Sequence, residues 1–275
     1  MPFVFGDRQL THKHRMTEPP DEQLDVSAVF ITCNAASQLA QALASVRFCR
    51  DIVVLDSGST DNTRQIAESH GARFAHQDWL GFGPQKQKAV QMARFDWVLC
   101  LDADERVSPE LARSISDCLR SPTHTAWRMP RSNFFIDRYL RHGEGYPDLS
   151  LRLFDRRHAR WSDDAVHEQV LTQGSVGVLQ GDLLHHSAES LSVYLTKQNR
   201  YTDIQAQKLA EKGKLPGATK LWLSPLVRFI KFYVFRQGFR DGWPGFTHIA
   251  IGCFNSFIKY AKARALLKAK DPDRL

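Results

Sequence analysis

The sequence predicts an α/β protein: a Rossmann-like mixed sheet flanked by helices, with a helical C-terminal region that is basic and aromatic. Three observations predict it. Apolar runs of strand length alternate with helical segments from Asp25 to about Leu119. Three of those runs end in polar clusters, as strands of a doubly wound sheet do where ligands bind. Charge is also unevenly spread, because Leu191–Leu275 carries 16 Lys and Arg against 5 Asp and Glu. The other 190 residues carry 21 against 25, within an overall net charge of +7.

The elements follow in order. Val26–Thr32 is a buried-strand pattern, with Asn34 as the cap of a helix from about Ser37 to Phe48. Asp51–Asp56 is a second strand, ending in the turn Ser57-Gly58-Ser59-Thr60-Asp61 before a helix from Asn62 to His70. Arg73–His76 reads as a short strand and Pro84–Arg94 as a helix. Asp96–Leu101 is apolar almost throughout, as a central parallel strand is, and runs into Asp102-Ala103-Asp104-Glu105. Ser108 then caps a helix that Pro109 opens and that reaches about Leu119. Residues 127–186 mix short strands with polar loops, an extension of the same sheet. From Leu191 the pattern is helical, with apolar, aromatic stretches at Leu221–Phe235 and Ile249–Leu267. The expected division is a leader over 1–24, a catalytic domain over 25–190 and a helical region over 191–275.

A chain of 275 residues that is 43% hydrophobic and 24% charged buries a full core, which excludes a disordered chain. Cys33, Cys49, Cys100, Cys118 and Cys253 form no CxxC pair and no even framework, so free thiols in a reducing compartment are expected. No apolar segment follows the basic residues His12–Arg15, and no run reaches transmembrane length. A cytoplasmic protein is expected. Its basic tail calls for an anionic partner. Large aliphatic runs between the basic residues, without a helix-turn-helix, RRM or zinc pattern, argue against nucleic acid. Leu221–Phe235 instead suits an interfacial helix on an anionic inner-membrane surface, with packing on the catalytic domain or in a homo-oligomer as the alternative.

The polar strand ends Thr32–Asn34, Asp56–Asp61 and Asp102–Glu105 share one sheet edge in this reading. Two Asp one residue apart after an apolar strand can hold Mg²⁺ or Mn²⁺, hard cations that bridge substrate phosphates and assist a departing diphosphate. A helix cap or a solvated loop is the plainer use of such a pair.

Longer strings carry a resemblance. They are Val29–Asn34, Ile52–Asp61, Trp79–Lys86, Trp97–Arg106, Arg152-Leu-Phe154, Val166-His-Glu168 and Gly181–His185. With them the chain resembles the inverting family 2 glycosyltransferases of GT-A fold, and more narrowly the bacterial lipopolysaccharide-core glucosyltransferases of the WaaE (KdtX) type, from about residue 25 to 265. The resemblance implies a UDP-sugar donor, a lipid A-core oligosaccharide acceptor and a divalent metal. By position it implies that Thr32 and Asn34 line the nucleotide pocket and that Asp56 accepts from the uracil. Ser57, Gly58 and Asp61 would shape the floor beside the ribose, and Lys86 would meet the nucleotide or its phosphates. Asp102 and Ala103 would lie at the ribose, with Asp104 and His185 on the metal. Position 87 departs from the family, with Gln where Asn is frequent. Ala165 likewise stands where the family has Pro.

An inverting transfer needs one carboxylate to deprotonate the acceptor hydroxyl, through an oxocarbenium-like transition state. Asp163, Asp164 and Glu168 are the candidates, with Asp164 placed ahead of Glu168. The alternative is an ion pair with Arg152 or Arg160. Arg152 and His167 are further candidates for contacts to acceptor or phosphate, and His186 reads as a packing residue. The function expected is transfer of glucose from UDP-glucose to an inner-core sugar. Other nucleotide sugars, a polyprenyl-phosphate acceptor, and non-catalytic nucleotide or nucleic-acid binding remain alternatives.

Overall fold

The computed structural model describes residues 22–164, 168–187, 190–212 and 217–270. Two compact units are formed, Met1–Arg131 with Asp148–His185, and Ser132–Pro147 with His186–Leu275. The boundary therefore differs from the contiguous division expected. Residues 132–147 belong with the C-terminal helices, held there by the Glu144–Arg228 ion pair and by Asp241, which accepts from the backbone N–H groups of Arg141 and His142 at 3.0 and 2.8 Å.

The first unit begins with β1 (Leu24–Thr32), α1 (Ala36–Ala44), β2 (Cys49–Asp56), α2 (Thr63–Ser69), β3 (Arg73–His76), α3 (Phe82–Gln91) and β4 (Trp97–Asp102). It continues with β5 (Glu105–Val107), α4 (Pro109–Arg120) and β6 (Ala126–Phe135), which runs across the unit boundary. β7 (Arg138–Tyr139) lies in the second unit; β8 (Asp148–Asp155), β9 (Ala159–Trp161), β10 (Val170–Thr172), β11 (Val176–Val178) and β12 (Leu183–His185) return to the first. The main sheet runs β3-β2-β1-β4-β8-β6-β12-β5, with β9 and β10 paired separately. β1, β2, β3 and β4 are mutually parallel, and β8 joins β4 antiparallel.

The reason for this half of the fold is visible in its strands. Val26, Ala28 and Phe30 point to one face of the sheet, and Val29 and Ile31 to the other, all buried. A strand covered on both faces reads as a continuous apolar run, which is what β1, β2 and β4 show. α4 starts where expected, with Ser108 Oγ accepting from the Leu111 N–H at 3.2 Å and Pro109 in the first turn.

The second unit contains α5 (Leu191–Glu211), α6 (Ala218–Phe229) and α7 (Gly242–Lys270). α6 continues as a π-helical segment over Ile230–Phe235. A short 3₁₀ turn, Gly238–Asp241, precedes α7. Among the described residues no helix is long and apolar enough to cross a membrane.

Candidate active site

Register aligns the expected strand ends. Thr32 stands opposite Asp56, and Ile31 opposite Asp102, so the carboxyl ends of β1, β2 and β4 form one row. The strand order turns back on itself at this place, where open α/β sheets bind ligands.

At the β1–β2 end two loops are stitched together by short side chains. Asp56 Oδ1 accepts from the N–H groups of Gly58 and Ser59 at 2.8 and 2.7 Å, and Oδ2 accepts from Thr32 Oγ1 at 2.8 Å and from Ser59 Oγ. Burial on its own would raise the Asp56 pKa; the Ser59 hydroxyl and N–H, Thr32 and Gly58 outweigh it and hold the carboxyl below its usual range. Four hydrogen bonds from Thr32, Gly58 and Ser59 close the turn on Asp56 and fix its carboxylate at the strand end. Gly58 adopts φ +103°, a conformation that suits glycine. Asn34 is not the helix cap expected. It sits at φ +52°, its Oδ1 accepting from the Thr60 N–H at 2.9 Å, while Ala35 precedes α1. Asp61 accepts from the N–H of Ala36 at 3.0 Å and from Thr63, completing a rigid shelf.

At the β4 end a buried network of charge forms. Lys86, only 2% exposed, places its ammonium 3.0 Å from Asp102 Oδ1 and 2.9 Å from Glu168 Oε1, and 4.8 Å above the Trp161 ring. It was expected to reach out to the nucleotide; in the fold it turns inward and joins two carboxylates from distant segments. Arg152 donates from Nη2 to Asp102 Oδ2 and to Glu105 Oε1, both at 2.7 Å. It too is buried, and it braces the carboxylate row instead of projecting toward an acceptor as expected. Glu105, fully buried, also takes Arg131 at 3.3 Å and the Asp102 N–H at 3.1 Å. Burial alone would raise the Asp102 pKa, but Arg152 first and then Lys86 hold it far below the usual carboxylate range. Asp102 is thus an anion held between two cations. Nothing in the sequence singled out Glu105, Arg131 or Trp161 for this role.

Asp104 and His185, 81 positions apart, are brought together. Antiparallel pairing of β12 with β5 sets His185 opposite Glu105, leaving its Nε2 3.2 Å from Asp104 Oδ2. A carboxylate oxygen and an imidazole nitrogen at this separation can both bind one small divalent cation, whose remaining positions would fall to phosphate and water. Among the described residues no group of three or more His, Cys, Asp or Glu side chains could hold a metal ion.

The candidate bases separate. Asp163 is exposed and lies 3.4 Å from Arg160, the ion pair weighed as its alternative. Asp164 is exposed, and its carbonyl accepts from the Gly83 N–H at 3.1 Å. Glu168 belongs to the Lys86 network. Gly83 permits the contact with α3, because a Cβ there would stand 2.2 Å from the Ser162 oxygen and 2.6 Å from that of Asp164. Gln85, buried, donates to Ser57 Oγ at 3.2 Å, tying α3 to the β2 turn as well. His167 lies outside the described residues. His186 packs on Phe134 at 4.3 Å between ring centroids. The five cysteines are free.

Residues 27–163 match the family described as Glycosyl transferase family 2. The lipopolysaccharide core biosynthesis glycosyltransferase LpsC of Rhizobium meliloti (strain 1021) is 32% identical over 265 residues, covering 90% of this chain and 96% of the relative. An uncharacterized glycosyltransferase of Rickettsia felis is 30% identical over 263 residues, covering 90% and 92%. Among solved structures, S. aureus TarS 1–349 in complex with UDP superposes with a TM-score of 0.47 at 13% identity, covering 91% of this chain and 92% of that one. The chain belongs to glycosyl transferase family 2. It is a glycosyltransferase of GT-A fold, and a homologue of a lipopolysaccharide core biosynthesis enzyme.

Proposed function

We propose that this glycosyltransferase moves glucose from UDP-glucose onto an inner-core sugar of a lipid A-linked oligosaccharide, by direct displacement with inversion. The observation that carries the proposal is the edge formed by Asp102, Asp104 and His185. It sets an oriented carboxylate beside a two-ligand cation site at the end of a central strand. The relation to LpsC supports the lipopolysaccharide acceptor. Location at the cytoplasmic face of the inner membrane follows from that acceptor.

Asp104 and His185 would hold Mg²⁺ or Mn²⁺, which when bound neutralises charge on the departing diphosphate. The protein's own groups do the rest. Thr32, Asn34 and the Ser57–Asp61 turn form the nucleotide shelf. Asp102, fixed by Lys86 and Arg152, accepts from a ribose hydroxyl without having to reorient, so its ordering cost is met in the folded state. Asp164 is the base. Its carboxylate faces solvent, where an acceptor hydroxyl can reach it, while its backbone is pinned to α3 at Gly83. Glu168 is engaged by a buried ammonium at 2.9 Å and positions Lys86 against Asp102.

Wild type, Asp164→Asn and Glu168→Gln are to be compared with UDP-glucose and truncated lipid A-core acceptors, reading the anomeric configuration of the product by NMR. A β-linked glucoside from the wild type, and loss of turnover in Asp164→Asn with UDP-glucose still bound, is expected. Full turnover in Asp164→Asn removes it as base, and an α-linked product removes direct displacement.

A further inference from the structure

The largest feature left over is the surface of the second unit. Along α6 and its π-helical continuation, Trp222, Leu226, Ile230 and Val234 form a row at four-residue spacing, and all four are exposed. The reverse is normal in a globular helix, whose apolar stripe faces the core. On α7, Trp243, Phe246 and Phe254 recur within one face and are also exposed. Trp222 and Phe235 are 72% and 77% exposed, far beyond an isolated surface hydrophobe.

The charge on the same segment is one-sided. Positions 212–270 hold twelve Lys and Arg and a single acidic residue, Asp241. Asp241 is 5% exposed and takes His142 Nδ1 at 2.8 Å, so it adds no negative charge to the surface. Arg228 and Lys262 are paired with Glu144 and Asp203. Lys220, Lys231, Arg236 and Arg240 are exposed beside the apolar rows.

We propose that this aromatic and cationic face of the second unit docks onto an anionic bilayer, with Trp222, Phe235 and Trp243 entering the headgroup–acyl boundary. The inference deepens the membrane location given above by naming the surface that makes it. Large apolar side chains rimmed by Lys and Arg, on helices that cannot span, are what an interfacial helix needs. Anionic headgroups supply the missing countercharge. A second copy of the same chain does not, because two such faces would oppose cation to cation. A phosphate backbone would use the cations but leave the aliphatic row in water.

The test is flotation of the full chain with vesicles of phosphatidylcholine, with and without phosphatidylglycerol, in the absence of donor and acceptor. Its failure thus leaves the transferase proposal standing. Binding to the phosphatidylglycerol vesicles alone is expected, weakened by salt. It should fall at least about tenfold in Trp222→Ser/Phe235→Ser/Trp243→Ser and stay unchanged in Val178→Ser, an exposed apolar position of the first unit. A blue shift of the tryptophan fluorescence on adding the anionic vesicles, absent in the triple variant, provides a second readout. No flotation with anionic vesicles, flotation unaffected by the triple change, or a wild-type dimer that the triple change dissolves would each overturn the proposal.

Discussion

Replacing Glu105 by Gln removes one charge from the interior of the site while keeping its shape. Arg152 Nη2 lies 2.7 Å from Glu105 Oε1, and neither side chain is accessible to more than a few per cent. At an effective dielectric of about 20, a pair at that distance is worth roughly 6 kcal/mol of Coulomb energy. The amide oxygen returns part of this as a dipole, and Asp102 still faces the guanidinium. The loss expected is about 3 kcal/mol, the low end for removing one partner of a buried pair. Burial would otherwise lower the Arg152 pKa; Glu105 first, then Asp102, raises it, so the cation persists in the variant and stays partly uncompensated. A domain of this size loses roughly 2–4 °C per kcal/mol, so the midpoint should fall by about 6–12 °C in a calorimetric scan. The double variant Glu105→Met/Arg152→Met should lose no more than the single one, because neither charge is then stranded and Asp102 keeps Lys86. A midpoint for Glu105→Gln within about 2 °C of wild type would refute the reasoning.

Gly83→Ala should loosen the 162–164 segment despite a helix-propensity gain of about 1 kcal/mol, since its Cβ collides with two carbonyl oxygens; faster proteolysis near Asp163 and a lower kcat are expected, and unchanged values would contradict it. His248 is held at a pKa of about 4 by burial, with Arg228 adding to the effect. Its folded value lies below its unfolded value near 6.5, so the unfolded chain takes up the proton first and stability falls as pH drops from about 6.5 toward 4. The loss should reach up to about 3 kcal/mol. His248→Phe, keeping a ring against Phe135 and Tyr194, should flatten the thermal midpoint over that window. Asp104→Ala or His185→Ala should weaken Mn²⁺ binding in the presence of UDP by more than about tenfold, read by EPR, whereas Asp163→Ala should leave it unchanged.

The sheet edge was legible because β1, β2 and β4 are covered on both faces. Their apolar runs therefore stop abruptly at Thr32, Asp56 and Asp102. The cap of α4 was equally plain, since Ser108 and Pro109 act through neighbours in sequence. The partners of Lys86 and Arg152 were not. They depend on which antiparallel strand is laid beside β4, and no local pattern states that Leu99 will face Leu153 or that Glu105 will receive Arg152. The carboxylate pair at Asp102 and Asp104 was legible as a possible cation site, whereas His185 came from the family resemblance, and the β5–β12 pairing explains how it reaches Asp104. The turn-closing bonds of Asp56 to Gly58 and Ser59 were not read from the Ser-Gly-Ser-Thr-Asp string, because a carboxylate that caps its own turn carries no separate sequence mark. The place of residues 132–147 was hidden for a similar reason: Glu144 and His142 find their partners 84 and 99 positions away.

The most direct measurement is UDP release from UDP-glucose by the purified chain with a lipid A-core acceptor, with Mg²⁺ or Mn²⁺ and with chelator. Release that requires the acceptor, stops with chelator and is abolished by Asp104→Ala is predicted. Release unaffected by chelator and by Asp104→Ala, or none with any UDP-hexose, would contradict the assignment of the Asp102, Asp104 and His185 edge to the donor diphosphate.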